Sequence, residues 1–279
     1  MPTSERSTAH GPLLFLRQAY GFFRRDLFEA VSYRLHISFM LVDMILGAFT
    51  YAFLGSAVRD SMSEYLRTQY GTNYLGFLIV GIAANQFIVF SLEAPRKAIN
   101  PWNLEYLLLT PVRLPAVVAG CCAQHYAWNI LHVALYLLVG VSCFGVVFHV
   151  SVVSLTLSVL FGLGVMWGLG LMSAGIQILT KRWDPVTWSL SALSLLFSGV
   201  LFPVSALRPE WLQSVSHILP QTYILRLVRL SVLRAAPPSD IQWELFGLGI
   251  AAAVLLPAGV LMIRLGIARA KRLGVLGHF

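Results

Sequence analysis

Asp43 is a carboxylate inside the apolar run Ile37–Val58, and a charge at the centre of a membrane helix costs on the order of 3 kcal/mol even on a lenient insertion scale. Such an acid either carries a proton or ion, or is held by an arginine from a neighbouring segment such as Arg34. Proton-coupled carriers use several intramembrane acids, and the other apolar runs offer almost none, so a paired, structural carboxylate is the expectation. Asn85 and Gln86 are adjacent amides in AANQFIVF and point to different faces of a helix. At least one must face protein or a cavity; a hydrogen bond to a neighbouring helix and a contact to a transported molecule both fit. His125 and His132 lie about two helical turns apart with no acid beside them, which suits packing histidines better than ligands. Cys121, Cys122 and Cys143 share one apolar stretch without metal or disulfide spacing and read as small hydrophobes. The chain has no paired-histidine zinc motif, nucleophile elbow or Gly-rich phosphate loop. Neither catalysis nor a bound metal is expected of it.

The elements that hold these residues are set by composition. The chain is 57% hydrophobic and 11% charged, with a mean hydropathy of +0.74, against about 25% charged in soluble proteins. It reads as an all-α integral membrane protein. Apolar runs near the roughly 20 residues a helix needs to cross a bilayer recur at Ile37–Val58, Tyr74–Leu92, Ala116–Val147, Val152–Leu179, Thr187–Phe202 and Phe246–Ile267. These predict a six-span bundle over residues 37–267 within one membrane domain, residues 1–279. FHVS, between the third and fourth runs, is a tight turn. Gly164 with Gly168, and Gly170 with Ala174, repeat small residues every four positions, the pattern of closely packed membrane helices. The length left over is too short for an ordinary soluble domain of about 100 residues, so the energy source is a partner or a gradient.

Residues 12–34 mix apolar and basic positions, with Leu16, Tyr20, Phe23, Leu27 and Val31 at helical spacing, which suits a helix lying in the membrane interface. The segment before it lacks the pattern of a cleaved signal peptide and is expected to stay on the chain. The net charge of +8 reports orientation rather than nucleic-acid binding. Arg6, Arg17, Arg24, Arg25 and Arg34, then Arg96, Lys97 and Arg113, then Lys181 and Arg182, and finally Arg264, Arg269, Lys271 and Arg272 fall on one side. Those fourteen face six on the other, Arg59, Arg67, Arg208, Arg226, Arg229 and Arg234. Both termini are therefore expected in the cytosol.

Two stretches between runs carry more information. EAPRKAINPWNLEYLLLTPVRLPAVVAG holds a short segment bracketed by Pro101, Pro111 and Pro115, which isolate it from the runs on either side. Leu104, Leu107 and Leu108 share one face of it, an apolar patch to be covered by a partner protein or by the chain's own residues 12–34. The second stretch, LFSGVLFPVSALRPEWLQSVSHILPQTYILRLVRLSVL, is cut by Pro203, Pro209 and Pro220 into apolar pieces too short to span. Such backbone is tolerated at membrane depth only against protein or a water-filled cavity, so residues 203–220 read as a re-entrant plug on the outer side.

LEYLLLTPVRLPAVVAG, and SGVLFPVSALRPEWLQ followed by LPQTYILRLVR, resemble the permease subunits of type-two ATP-binding-cassette exporters, which move drugs, lipids and surface polysaccharides. Gly199, Pro203, Pro209, Trp211, Pro220, Tyr223 and Arg229 stand in the family's order, while Arg226 replaces a position more often acidic or small. The resemblance implies that residues 12–34 are the connecting helix and residues 100–110 the coupling helix touching the ATPase through Asn100, Trp102, Leu104, Glu105, Leu107 and Leu108. It implies a substrate path between the second and fifth spans of two protomers, lined here by Phe77, Asn85, Gln86, Phe87, Ser194, Phe197 and Ser198. The outer re-entrant helices would close the exit through Phe202, Pro203, Leu207, Trp211, Leu219 and Pro220. The implied partners are separate ATPase subunits that bind ATP and Mg, membrane lipid, and a second copy or sister permease. The implied location is a bacterial inner membrane.

The largely apolar lining points to an amphipathic cargo such as a drug, lipid or hydrophobic peptide, with a lipid-linked polysaccharide as the alternative. A gradient-driven carrier predicts repeats between the halves of the chain, and an intramembrane enzyme predicts a convergent polar cluster; the sequence displays neither. The charge asymmetry makes a direct prediction. Single cysteines at Ser63 and Ser239, in a cysteine-free background, are labelled by an impermeant thiol reagent added outside; protection of both there, with labelling from the cytosol, contradicts the orientation.

Overall fold

The structure, a computed structural model, describes residues 12–57, 63–99, 112–180 and 185–272. Among the described residues every regular element is helical: α1 Pro12–Ser32, α2 Arg34–Ala57, α3 Ser63–Tyr70, α4 Tyr74–Ala98, α5 Leu114–Phe144, α6 Val152–Thr180, α7 Pro185–Phe197, a 3-10 turn Val204–Ala206, α8 Trp211–Ile218, α9 Pro220–Leu233 and α10 Gln242–Arg272. Four of these, α4, α5, α6 and α10, are each long and apolar enough to cross a bilayer, and α1 with α2 meets the test only as a pair bent by 82°. By length and composition the described residues therefore hold four candidate spans, or five with the bent pair. The six expected runs differ from this chiefly at Thr187–Phe202. There the helix stops at Phe197 after 13 residues, a rise of about 20 Å against a hydrocarbon core of about 30 Å.

The α6–α10 pair forms the tightest seam. Gly164, Gly168 and Gly175 of α6 lie against Ala252, Leu255 and Met262 of α10, and a Cβ added at Gly168 would stand 2.6 Å from the Leu255 carbonyl carbon. Gly170 points elsewhere, against Leu92 and Pro95 of α4, so the two small-residue pairs read from the sequence serve different neighbours. Helix α4 is the hub. Asn73 caps its start by accepting the Gly76 amide at 3.0 Å, and α2, α5, α6 and α9 all pack on it.

Two expectations are corrected by position. Asp43 is exposed on α2 and forms no ion pair with Arg34, because both lie on one helix, nine residues or about 13 Å of rise apart. Arg229, expected among the outer loop cations, is 2% exposed within α9, where the sequence predicts only short apolar pieces. The short connection after α5 also does more than turn the chain. Its His149 and Ser151 amides donate to the Val232 and Ser231 carbonyls at 3.0 and 2.8 Å, and the Ser154 hydroxyl donates to Ala236 O at 2.6 Å. The first two bonds satisfy carbonyls that the end of α9 would otherwise leave unpaired.

The α6–α10 seam yields a paired prediction. Gly168→Ala and Gly247→Ala gain the same helix propensity, about 1 kcal/mol, but a Cβ at Gly247 meets nothing within 4 Å. In detergent, Gly168→Ala lowers the apparent melting temperature while Gly247→Ala holds or raises it; equal shifts would contradict the seam.

Candidate functional site

The polar centre of the molecule lies at one end of the bundle, where α4 begins and α7 ends. Burial at the middle of α9 requires the Arg229 guanidinium to find partners, and it finds backbone. Its Nη1 donates to Gly199 O at 2.7 Å, Nη2 to Val200 O at 2.8 Å and Nε to Phe77 O at 3.2 Å. The Phe77 ring lies under Cζ at 3.5 Å, close enough for a cation–π contact. Among the described residues no carboxylate pairs with it; three carbonyl dipoles and a ring face compensate the charge, which the fork of five N–H donors makes possible. Gly81 is the matching vacancy on α4, since a Cβ there would collide with Nη2 and stand 2.8 Å from Val200 O. Gly199, with φ +80°, takes the left-handed conformation at the turn after α7.

Around this centre the chain between α7 and α9 is stitched down. The Tyr74 hydroxyl donates to Leu201 O at 3.0 Å, and its ring stacks on Phe202 at 6.3 Å. Gln213 donates to Leu207 O at 3.1 Å, the Thr222 hydroxyl to Ser216 O at 2.7 Å and the Tyr223 hydroxyl to His217 O at 3.0 Å. A cavity of about 250 Å3 opens beside the arginine, with Tyr65, Tyr70, Gln213, His217 and Arg226 on its walls. Burial raises the Tyr70 phenol above its ordinary pKa, against the lowering pull of Arg229 and Arg226.

The residues expected to line a path separate into two groups. Phe77, Asn85, Ser194 and Ser198 are buried within this chain, and the Ser194 hydroxyl donates to Asn85 Oδ1 at 2.7 Å. That bond holds the short α7 against α4. Gln86, Phe87 and Phe197 are half-buried. Of the expected exit residues, Phe202 and Trp211 are exposed, Leu207 and Pro220 are half-buried, and Pro203 and Leu219 are buried. Beside them Ile218 is 80% exposed, so Trp211 and Ile218, seven residues apart on α8, leave an apolar face outward, and Phe202 is a further exposed apolar ring at this end. Sequence reasoning missed Ile218; its signal is the strong apolar face of the eight-residue α8.

At the other end, Ile99 of the α4 terminus is buried with Leu171, Ala174 and Ile178 of α6 and Ile263 of α10. The expected coupling residues Asn100, Trp102, Leu104, Glu105, Leu107 and Leu108 lie outside the described residues. The chain resumes beside α1, where the Arg113 amide donates to Gln18 Oε1 at 3.5 Å and Gly120 of α5 touches the Ala19 backbone. His125 and His132 both contact the Phe90 ring, with ring centroids at 5.5 and 5.4 Å. His125 is also 3.4 Å from Lys97 Nζ, which in turn pairs with Glu93 at 2.7 Å.

No curated protein matches the chain. The family model described as ABC-2 type transporter matches residues 20–233, a stretch that begins in α1, takes in the whole arginine centre and ends at the last residue of α9. With that match covering most of its length, the chain belongs to the ABC-2 type transporter family and is a membrane component of an ABC transporter.

Proposed function

We propose that this chain is the permease half of an ATP-driven exporter, carrying an amphipathic compound such as a drug, lipid or hydrophobic peptide outward across a bacterial inner membrane. The family match over residues 20–233 carries the reading. The working unit is two permeases, identical or sister chains, with two separate ATPase subunits that bind ATP and Mg. In the membrane the chain has six spans, with both termini in the cytosol. The first span is α2, and the fifth is α7 completed by the turn through Phe202.

ATPase closure pushes the segment 100–110. Two elements receive that push directly: α4, which ends at Ala98, and α5, which starts at Leu114 with α1 packed along it. Alternating access follows if the two halves rock between packed arrangements. At the outer end Arg229 ties the 199–202 turn to α4, so movement of α4 carries the turn and α8 with it. The exposed apolar residues Phe202, Trp211 and Ile218 are then available to meet their counterparts on a second protomer and close the exit. Separating two such faces costs about 25 cal/mol per Å2 of apolar surface uncovered, within reach of nucleotide-driven rotation.

The test is at the coupling segment. Glu105→Ala combined with Leu108→Asp leaves expression and thermal stability of the permease unchanged but abolishes co-purification of the ATPase, or uncouples its hydrolysis from transport. Normal complex yield and normal coupled hydrolysis in that double variant would contradict the assignment of residues 100–110.

A further inference from the structure

The geometry points to a second binding site in this chain, an intramembrane window between α5 and α6 that takes one acyl chain of a bilayer phospholipid. Helices α5 and α6 are joined by a short connection yet stand apart along their length. At one end of the gap the connection ties both to α9. At the other, Trp167 Nε1 donates to the Tyr126 hydroxyl at 2.6 Å, and the rings of Phe87, Tyr126 and Trp167 follow one another at 6.1 and 6.4 Å. Between these two ends lies a cavity of about 350 Å3. Its floor is α4, at Ala83, Ala84 and Phe87, and its back wall is α9, at Ile224, Val228 and Val232.

Only one of the seventeen lining residues is polar. That residue, Ser91, spends its hydroxyl on Phe87 O at 2.6 Å. Water entering would find no partners, and apolar cavities smaller than this stay dry and bind hydrocarbon. Left empty, the walls would forfeit their dispersion contacts. The mouth settles what fills it. Ile130 and Ala134, one turn apart on α5, are exposed, with Leu155 and Val159 opposite on α6. Both helices are candidate spans, so the mouth opens at hydrocarbon depth, where the available apolar chain is a lipid tail. Of the residues expected on the path the site shares Phe87 only; the α4 face that lines it does not carry Asn85, which faces Ser194 of α7. An acyl chain here completes the packing behind α9, beside the residue that ties α9 to the 199–202 turn.

The test uses the full-length chain in vesicles of phosphatidylethanolamine and phosphatidylglycerol, without nucleotide or any other lipophilic compound. The vesicles are doped with a phosphatidylethanolamine whose acyl chain bears a diazirine. After irradiation, peptide mapping finds adducts on Phe87 and Val228, which lie behind the window, as well as on outward-facing Leu138 and Val254. Ala134→Trp at the exposed mouth abolishes the Phe87 and Val228 adducts and leaves those on Leu138 and Val254. Ile130→Trp on the same rim does likewise and serves if the first variant folds poorly. Adducts confined to outward-facing residues, or inner adducts undiminished in both variants, would overturn the site. Because neither ATPase nor nucleotide is present, no transport is read, and either outcome leaves the transport assignment standing or falling on its own test.

Discussion

The interaction on which one end of this bundle depends is a buried guanidinium held by backbone. Desolvating a charge is expensive, and in a low-dielectric interior it is tolerated only where partners are fixed in place. Arg229 meets that demand by drawing three carbonyls, Phe77 O, Gly199 O and Val200 O, to one point. The consequences spread outward from there. Position 81 must lack a side chain, the chain after α7 must turn back at Gly199, and α9 must lie deep enough to bring its middle residue to the start of α4. Lysine would supply a point charge without the fork that reaches carbonyls on two separate segments.

That constraint links the fold to its transport role. Helix α4 touches both ends of the molecule, with the arginine centre at its first turns and the segment leading to residues 100–110 at its last. A displacement delivered at Ile99 therefore reaches the 199–202 turn through one rigid helix and three hydrogen bonds. The close α6–α10 seam is built on glycines and alanine, and α4 is joined to it through Gly170 against Leu92 and Pro95 and through the burial of Ile99. The window between α5 and α6 is bounded by α4 and α9.

Run length made α4, α5, α6 and α10 legible in the sequence, because uninterrupted apolar stretches leave a bilayer-crossing helix as the simplest way to satisfy their backbone. The small residues of α6 were equally readable, though which neighbour each faced depended on helix rotation. The limit of α7 was not, since apolar residues continue to Phe202 while the helix ends at Phe197 and the chain turns at Gly199. Helix α9 was hidden by its own key residue: arginines at 226 and 229 look like solvated loop cations, and only the tertiary fold shows that Arg226 is exposed and Arg229 buried. Of the adjacent amides, periodicity required one to face inward but did not choose Asn85; its partner Ser194 lies 109 positions away. The acid at Asp43 drew attention by cost alone, and its assigned partner failed because one straight helix carries both.

The central claim is that the turn after α7 is held on α4 by Arg229, and that the Tyr74–Leu201 hydrogen bond beside it cannot hold the turn without the guanidinium. Measuring the reactivity of a single cysteine at Val204, in a cysteine-free chain, toward a small water-soluble thiol reagent tests it most directly. With Arg229 replaced by lysine, the account predicts a marked rise in Val204 reactivity, with a second reporter cysteine at Ala252, in the α6–α10 seam, still protected. Unchanged reactivity at Val204 in a folded Arg229→Lys variant would contradict it.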